Sequence, residues 1–482
     1  MTTLKAQAVD GVKWTATSTL AVTAAKYIRT IILARLLVPD DFGLMAMLTV
    51  LIGLGQAFSD MGISLSIIWK QDASDDELSS IYWFNILTGI IVTGLVIAAA
   101  PLVVFFYHEP RLYDLVLWIS PIFLVSSTGM PFQMMLQKEL LFSRLAKIEI
   151  IATVVGAIVA VSAALMDGGV YALVWGSVVD IIVRAALLVV VGWKNWHPHV
   201  HFRWKDLRGF IRFGLFNMGE RLLNFYYANI DYIILGRFLG GEILGIYMIA
   251  YQMVVEPFLK INPILVRVAF PVFAKKQEDN AVLRKGYYEL SKVVALLTFP
   301  VLALIAATTH IFIPALFGEK WNQAIPLIQI LVILGVLRAL INPIGSILYA
   351  KGRTDMGFYW NLYGAVVNTV VFWIFVSYGV FVIAWLENGL TFISFILALW
   401  ILNRVIGLKP AEYLATLARP LIANAIVAAA TYAASLLLEE IVANGIALFA
   451  VLVVFGLSLY AAFLAIFERD LFKEYWRLLW RR

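Results

Sequence analysis

Cysteine is absent from this chain, and that removes disulfide staples, thiolate nucleophiles and cysteine-held metals at once. Charge is scarce as well. Asp, Glu, Lys and Arg make up 14% of the residues, against about a quarter in an ordinary soluble domain. Long polar segments are missing too. The longest connection between apolar runs is 194–211, which leaves no room for a soluble domain or for long external catalytic loops. No phosphate-cradling glycine loop, nucleophile–base pair or metal-ligand cluster is visible, so there is no catalytic residue, metal site or cofactor to assign. Residues 1–13 (MTTLKAQAVDGVK) are too polar for a signal-peptide core, and the first apolar span is expected to direct insertion instead.

What the chain has is apolar length. It is 62% hydrophobic over 482 residues, with a mean hydropathy of +0.88. A helix needs about 20 mostly apolar residues to cross the hydrocarbon, and stretches of that kind follow one another with short gaps. They are continuously apolar and do not alternate with period 2, which predicts helices and not a barrel. The expected fold is an all-α polytopic membrane protein of about 14 transmembrane helices. The net charge of +6 reads as positive-inside bias and not as a nucleic-acid footprint. With the N-terminus inside, 25 of the 37 Lys and Arg residues fall in inner segments and 4 (Arg35, Arg111, Arg237, Lys320) in outer ones. This split predicts an N-in, C-in topology.

The chain also repeats itself. "IILARLLVPDDFG" at 31–43 returns, ungapped, as "IILGRFLGGEILG" at 233–245. The offset of 202 spans six helices, an even number, so the repeats are parallel. The predicted organisation is two pseudo-symmetric six-helix lobes, 1–193 and 212–403. An interfacial linker at 194–211 joins them, and 404–482 adds spans 13 and 14 with a tail. In the first copy Pro39 ends one helix and Asp40 or Asp41 caps the next; in the second, Gly240, Gly241 and Glu242 take that place. Arg35 and Arg237 sit at the outer edge as headgroup anchors. The linker (KNWHPHVHFRWKDLRGFI) is basic and aromatic, as befits a headgroup-level segment. His197, His199 and His201 alternate in it without a fourth ligand, so a zinc site is the weaker reading.

Polar stripes inside the spans mark where function lies, because ionisable groups in the bilayer are costly and face protein or water. Asn217, Glu220, Arg221, Asn224, Tyr227 and Asp231 share one face of span 7. By the repeat offset their counterparts lie on span 1, where Lys26 and Arg29 stand. Arg29 and Asp231 are equivalents of opposite charge, expected to face each other across the repeat axis. Arg338 and Asn342 share a face of span 10. The cavity candidates for substrate are Lys26, Arg29, Arg221, Arg338, Asn217, Asn224 and Asn342. The candidates for gating or ion coupling are Glu220, Asp231, Glu256, Lys260, Asp180, Arg184 and Asp60. Plainer roles stand beside these: Asp180–Arg184 and Glu256–Lys260 at i, i+4 can neutralise each other, and Asp60 can cap backbone. The surplus of Arg and Lys suits an anionic cargo, with Arg presenting a fork to phosphate oxygens.

Three stretches, "LARLLVPDDFGLMAMLTVLIGL", "SDMGISLSIIW" and "ANIDYIILGRFLGGEILGIYMIAYQM", carry a resemblance to the polysaccharide-transporter branch of the multidrug/oligosaccharidyl-lipid/polysaccharide exporters. The likeness is to the O-antigen and colanic-acid type. It implies a two-lobed flippase with a cationic cavity in the bacterial inner membrane, moving an undecaprenyl-pyrophosphate-linked oligosaccharide between leaflets. It also implies a monomer among membrane lipids, working beside polysaccharide polymerase and glycosyltransferase machinery. A multidrug exporter and a lipid II-type flippase are the rival readings. Against the first, an organic-cation cavity would be led by carboxylates. A coupling ion, H+ or Na+, is the one small partner the intramembrane acids leave open.

Overall fold

A computed structural model describes the backbone of residues 4–60, 66–70 and 72–467; within these, the side chains of 4–10, 12, 60, 66, 69, 209, 211–217, 257–268 and 354 are not described. No strand occurs among the described residues. Twelve helices there are long and apolar enough to cross a membrane. Helix α1 (Leu4–Leu36) is not among the twelve, although 33 residues are ample length; Lys26, Arg29 and Arg35 dilute its apolar run.

The chain forms two compact units, residues 1–245 with 364–369, and 246–363 with 370–482. In the first unit follow α2 (Pro39–Asp60), α3 (Ser66–Trp69), α4 (Asp75–Tyr107), α5 (Leu112–Ile119), α6 (Ile122–Lys138), α7 (Phe142–Leu165), α8 (Val170–Gly192) and the opening part of α9 (Trp204–Lys275). Helix α1 packs on α7, α7 on α8, α8 on α6 and α6 on α4. Local chemistry sets the starts. Ser74 caps α4 in a reciprocal box: its hydroxyl accepts from Glu77 N, and the Glu77 carboxylate accepts from Ser74 N. Asp41 accepts from Val38 N at 3.2 Å where α2 begins.

Helix α9 spans 72 residues, about 108 Å at 1.5 Å per residue, far beyond a hydrocarbon core of about 30 Å. Gly240 interrupts it with φ 81° and ψ −179°, a conformation that glycine adopts without a Cβ penalty. The repeated sequence spans this break, and its two copies touch. A Cβ on Gly43 would run into the backbone of Gly241, and one on Gly245 into the carbonyl of Pro39. Gly43 and Gly245 are equivalents by the 202 offset, as are Pro39 and Gly241. Contact of i with j′ and of j with i′ is the mark of a twofold relation. The repetition thus records a self-complementary backbone crossing that side chains would block.

The second unit holds the rest of α9, then α10 (Asn280–Phe312), α11 (Ala324–Ile341), α12 (Ile344–Ala350), α13 (Thr354–Phe375), α14 (Val380–Ile406), α15 (Pro410–Leu438) and α16 (Gly445–Phe467). Residues 364–369 of α13 belong with the first unit. Helices α15 and α16, read from sequence as an appendage, pack directly on α10. Tyr460 donates to Leu296 O at 2.7 Å and His310 bonds Ser435 at 3.0 Å. A buried cluster of Tyr287, Phe299, Leu402, Tyr413 and Leu417 closes this packing.

Candidate functional site

The first unit holds an open cavity of about 860 Å³, and every lining residue lies in that unit. Its charged wall comes from three helices: Lys26 and Arg29 on α1, Asp180 and Arg184 on α8, Glu220 and Arg221 on α9. Four cations against two carboxylates leave a positive surplus in a space walled by apolar helices, where screening by water is weak. Asn224, one turn beyond Glu220, adds an amide to the same wall.

Asp180 organises the cations. Its Oδ1 accepts from Arg184 Nη2 at 2.8 Å, one helical turn away, and its charge also acts on Arg29. One carboxylate therefore serves two guanidinium groups. The Nε atoms of both arginines are buried without a hydrogen-bond partner. Arginine presents its donors as a planar fork matched to phosphate or carboxylate oxygens, and two forks sharing one acid keep donor capacity in hand.

The wall also carries neutral polar groups, Gln56, Asn85, Gln133, Ser126, Ser127 and Ser177, among apolar residues such as Met130, Leu188 and Phe225. The serine hydroxyls donate backwards into their own helices, Ser126 to Phe123 O at 3.1 Å, Ser127 to Leu124 O at 2.7 Å and Ser177 to Leu173 O at 2.9 Å. That satisfies the proton and leaves oxygen lone pairs to accept from a guest hydroxyl. These residues escaped the sequence reading. The signal was present as isolated amides, Asn85 and Gln133, in otherwise apolar runs; single polar residues lack the i, i+3, i+4 pattern that revealed span 7.

Seven of the fourteen residues singled out from sequence meet here: Lys26, Arg29, Arg221, Asn224, Glu220, Asp180 and Arg184. Asp231 is buried in the same unit, 4% exposed, with Oδ1 accepting from Tyr232 N at 2.9 Å, and does not line the cavity. Arg29 thus has Asp180, and not its repeat equivalent Asp231, as its electrostatic neighbour. The side chains of Asn217, Lys260 and Asp60 lie outside the described residues.

Arg338, Asn342 and Glu256 belong to the second unit. Arg338 on α11 donates to Glu387 Oε1 on α14 at 2.7 Å and also bonds the Tyr251 hydroxyl. The other oxygen of Glu387 accepts from Tyr247 OH at 2.6 Å, and the carboxylate is 2% exposed. Nothing local in the sequence joins Glu387 to Arg338, 49 residues away. Asn342 is exposed and follows the last turn of α11, and Glu256 is half-buried on α9. Of the linker histidines, His197 stacks on Trp193 and meets the His199 ring edge-on at 6.0 Å, while His201 bonds Asp206 at 3.0 Å. No group that could hold a metal occurs among the described residues.

Comparison with known proteins identifies the family and the fold. A family model described as polysaccharide biosynthesis protein matches residues 32–326. The teichuronic acid biosynthesis protein TuaB of Bacillus subtilis is 36% identical over 446 residues, 91% of each chain. The lipopolysaccharide biosynthesis protein WzxC of Escherichia coli is 35% identical over 360 residues, 75% of this chain and 73% of that one. Among solved structures, the lipid II flippase MurJ in an inward closed conformation superposes with a TM-score of 0.74 at 13% identity, covering 94% of this chain and 99% of that one. At that identity the likeness shows the fold alone.

Proposed function

The chain belongs to the polysaccharide biosynthesis protein family, within the multidrug/oligosaccharidyl-lipid/polysaccharide exporter superfamily, and from that membership we propose that it flips a polyprenyl-pyrophosphate-linked oligosaccharide across the bacterial inner membrane. It is a multi-pass membrane transporter and not an enzyme. The observation that carries the cargo assignment is the cavity wall: surplus guanidinium charge beside a field of amides and hydroxyl oxygens. Arg29, Arg184 and Arg221 bind pyrophosphate oxygens through charge-assisted forks, with Lys26 as a point charge. Gln56, Asn85, Gln133 and the serines meet sugar hydroxyls. Asp180 holds two arginines when cargo is absent, and the pyrophosphate competes with it for them.

The remaining topology follows the charge pattern. The protein makes 14 passes with both ends in the cytoplasm, α1 and the two parts of α9 supplying passes beyond the eleven undivided apolar helices. Lobes 1–193 and 212–403 alternate access around the cavity. It works as a monomer, beside the enzymes that build and polymerise the glycan, and Glu220, Asp231 or Glu256 carries any coupling proton or sodium ion.

Reconstitution into liposomes with a polyprenyl-pyrophosphate-linked sugar, followed by measurement of sugar exposed on each leaflet, tests this. Accelerated equilibration by the wild type is expected. Export of an organic cation with no flipping of the lipid-linked sugar would instead establish the multidrug reading.

A further inference from the structure

The segment leading from α8 to α9 is strapped to the first turns of α4. His199 N donates to Ser79 Oγ at 3.1 Å and Arg203 N to Ser80 Oγ at 3.2 Å. Trp83 Nε1 donates to His199 O at 2.7 Å, and Ser80 Oγ donates to Asp206 Oδ2 at 2.8 Å. His201 bonds the same Asp206 oxygen at 3.0 Å, and the Phe84 and Trp204 rings meet edge-on at 5.9 Å. Three of these hydrogen bonds hold the backbone between His199 and Arg203 and two more anchor Asp206, so what the segment displays outward is held in place.

Two features of that display face outward. Val200 is 99% exposed, Trp204 61% and Phe202 41%, although bonds on both sides hold Val200 in place. Lys194, Arg203, Lys205 and Arg208 are exposed as well. The only acid of residues 194–211 is Asp206, and Ser80 and His201 occupy it. Desolvation alone would raise its pKa. Hydrogen bonds from Ser80 and His201 and the charges of His201 and Arg203 outweigh this and hold it below the usual carboxylate range. It stays ionised and hydrogen-bonded inward, and among the outer cations it is Arg203 that shares its charge. The strap runs between the ends of two membrane spans, so its outer face lies at headgroup level.

We propose that this strap is a preformed binding platform for anionic phospholipid headgroups, with Lys194, Arg203, Lys205 and Arg208 meeting phosphate and Val200, Phe202 and Trp204 entering the interface. Basic residues beside a span are drawn to anionic lipid, and apolar and indole side chains settle at that depth. Rigidity matters because cations ordered in advance lose little entropy on binding. The platform is independent of what the cavity carries.

The absence of cysteine makes the test direct. The full-length Val200→Cys protein, labelled with an environment-sensitive fluorophore, is reconstituted in phosphatidylcholine alone and in phosphatidylcholine mixed with phosphatidylglycerol. The same label at Tyr378→Cys serves as the insertion control. Phosphatidylglycerol should shift the strap label's emission to the blue and protect it from iodide, with no change at position 378. Each cation near an anionic surface is worth roughly fivefold in partition. The triple substitution Arg203→Gln, Lys205→Gln, Arg208→Gln should therefore raise the phosphatidylglycerol fraction needed by about tenfold or more. Salt near 1 M, where the Debye length is about 3 Å, should abolish the response in the unmutated strap even where the triple variant folds poorly. Equal emission and quenching in both lipids, or a response indifferent to salt, overturns the proposal.

Discussion

Both compact units place an arginine against a carboxylate within the membrane, and they use the pair in opposite ways. In the second unit Arg338 and Glu387 satisfy each other: one carboxylate oxygen takes the guanidinium, the other takes Tyr247 OH, and the acid is almost wholly buried. In the first unit Asp180 is shared between Arg184 and Arg29 beside a cavity of about 860 Å³, and the Nε atoms of both arginines lack hydrogen-bond partners. One arrangement is closed and structural; the other is short of negative charge and open to a guest. Intramembrane charge is therefore not by itself a sign of a substrate site. What discriminates is the ratio of donors to acceptors around the carboxylate and whether empty space adjoins it.

The sharpest way to break this contrast is in the second unit. Glu387→Ala strands Arg338 in a desolvated site and should destabilise the protein by about 3–5 kcal/mol, read as a fall in the thermal unfolding midpoint in detergent. Replacing both partners with leucine should recover most of that loss, since an apolar pair leaves no uncompensated charge. A double variant as unstable as the single one would show that packing, and not charge, is what Glu387 supplies.

In the first unit the prediction inverts. Arg29→Ala combined with Arg221→Ala should leave the unfolding midpoint near that of the wild type and reduce flipping by about a hundredfold, two charge-assisted contacts of about 1.5 kcal/mol each. Lysine at either position should restore part of the rate, because it supplies charge without the fork. Normal flipping by the double alanine variant would remove the cationic cavity from the mechanism.

A smaller effect separates sharing from closure. Asp180→Asn keeps the shape and releases both arginines, so anionic cargo should bind a few-fold more tightly, the equivalent of about 1 kcal/mol, and leave more slowly. The expected readout is a lower KM with a lower kcat in the leaflet-exposure assay. A change in midpoint like that of Glu387→Ala would make Asp180 a structural partner instead.

The smallest effect lies outside both units' charge pairs, at the strap. The native pKa of Asp206 is depressed, so the stability it contributes is complete above the unfolded value of about 3.9. That contribution is lost as pH falls through the lower native value. A label at Val200→Cys should gain mobility only at such acid pH in the wild type, and at all pH values in Asp206→Asn.

The sequence by itself determined the class of molecule. Apolar length without period-2 alternation means membrane helices, the absence of polar segments excludes soluble catalysis, and the repeat at 31–43 and 233–245 announces internal duplication. It also exposed seven cavity residues, because helical periodicity puts a polar stripe on one face whatever the helix packs against. Tertiary structure alone decided the rest. Arg29 and Arg338 look alike in sequence, yet one faces a cavity and the other meets a carboxylate 49 residues along the chain; a partner that distant has no local signature. Asn85 and Gln133 joined the site only through the packing of α4 and α6 against their neighbours. The repeated glycines gained their meaning from a backbone crossing, Gly43 on Gly241 and Gly245 on Pro39, since missing side chains reveal a close approach only when both partners are in place.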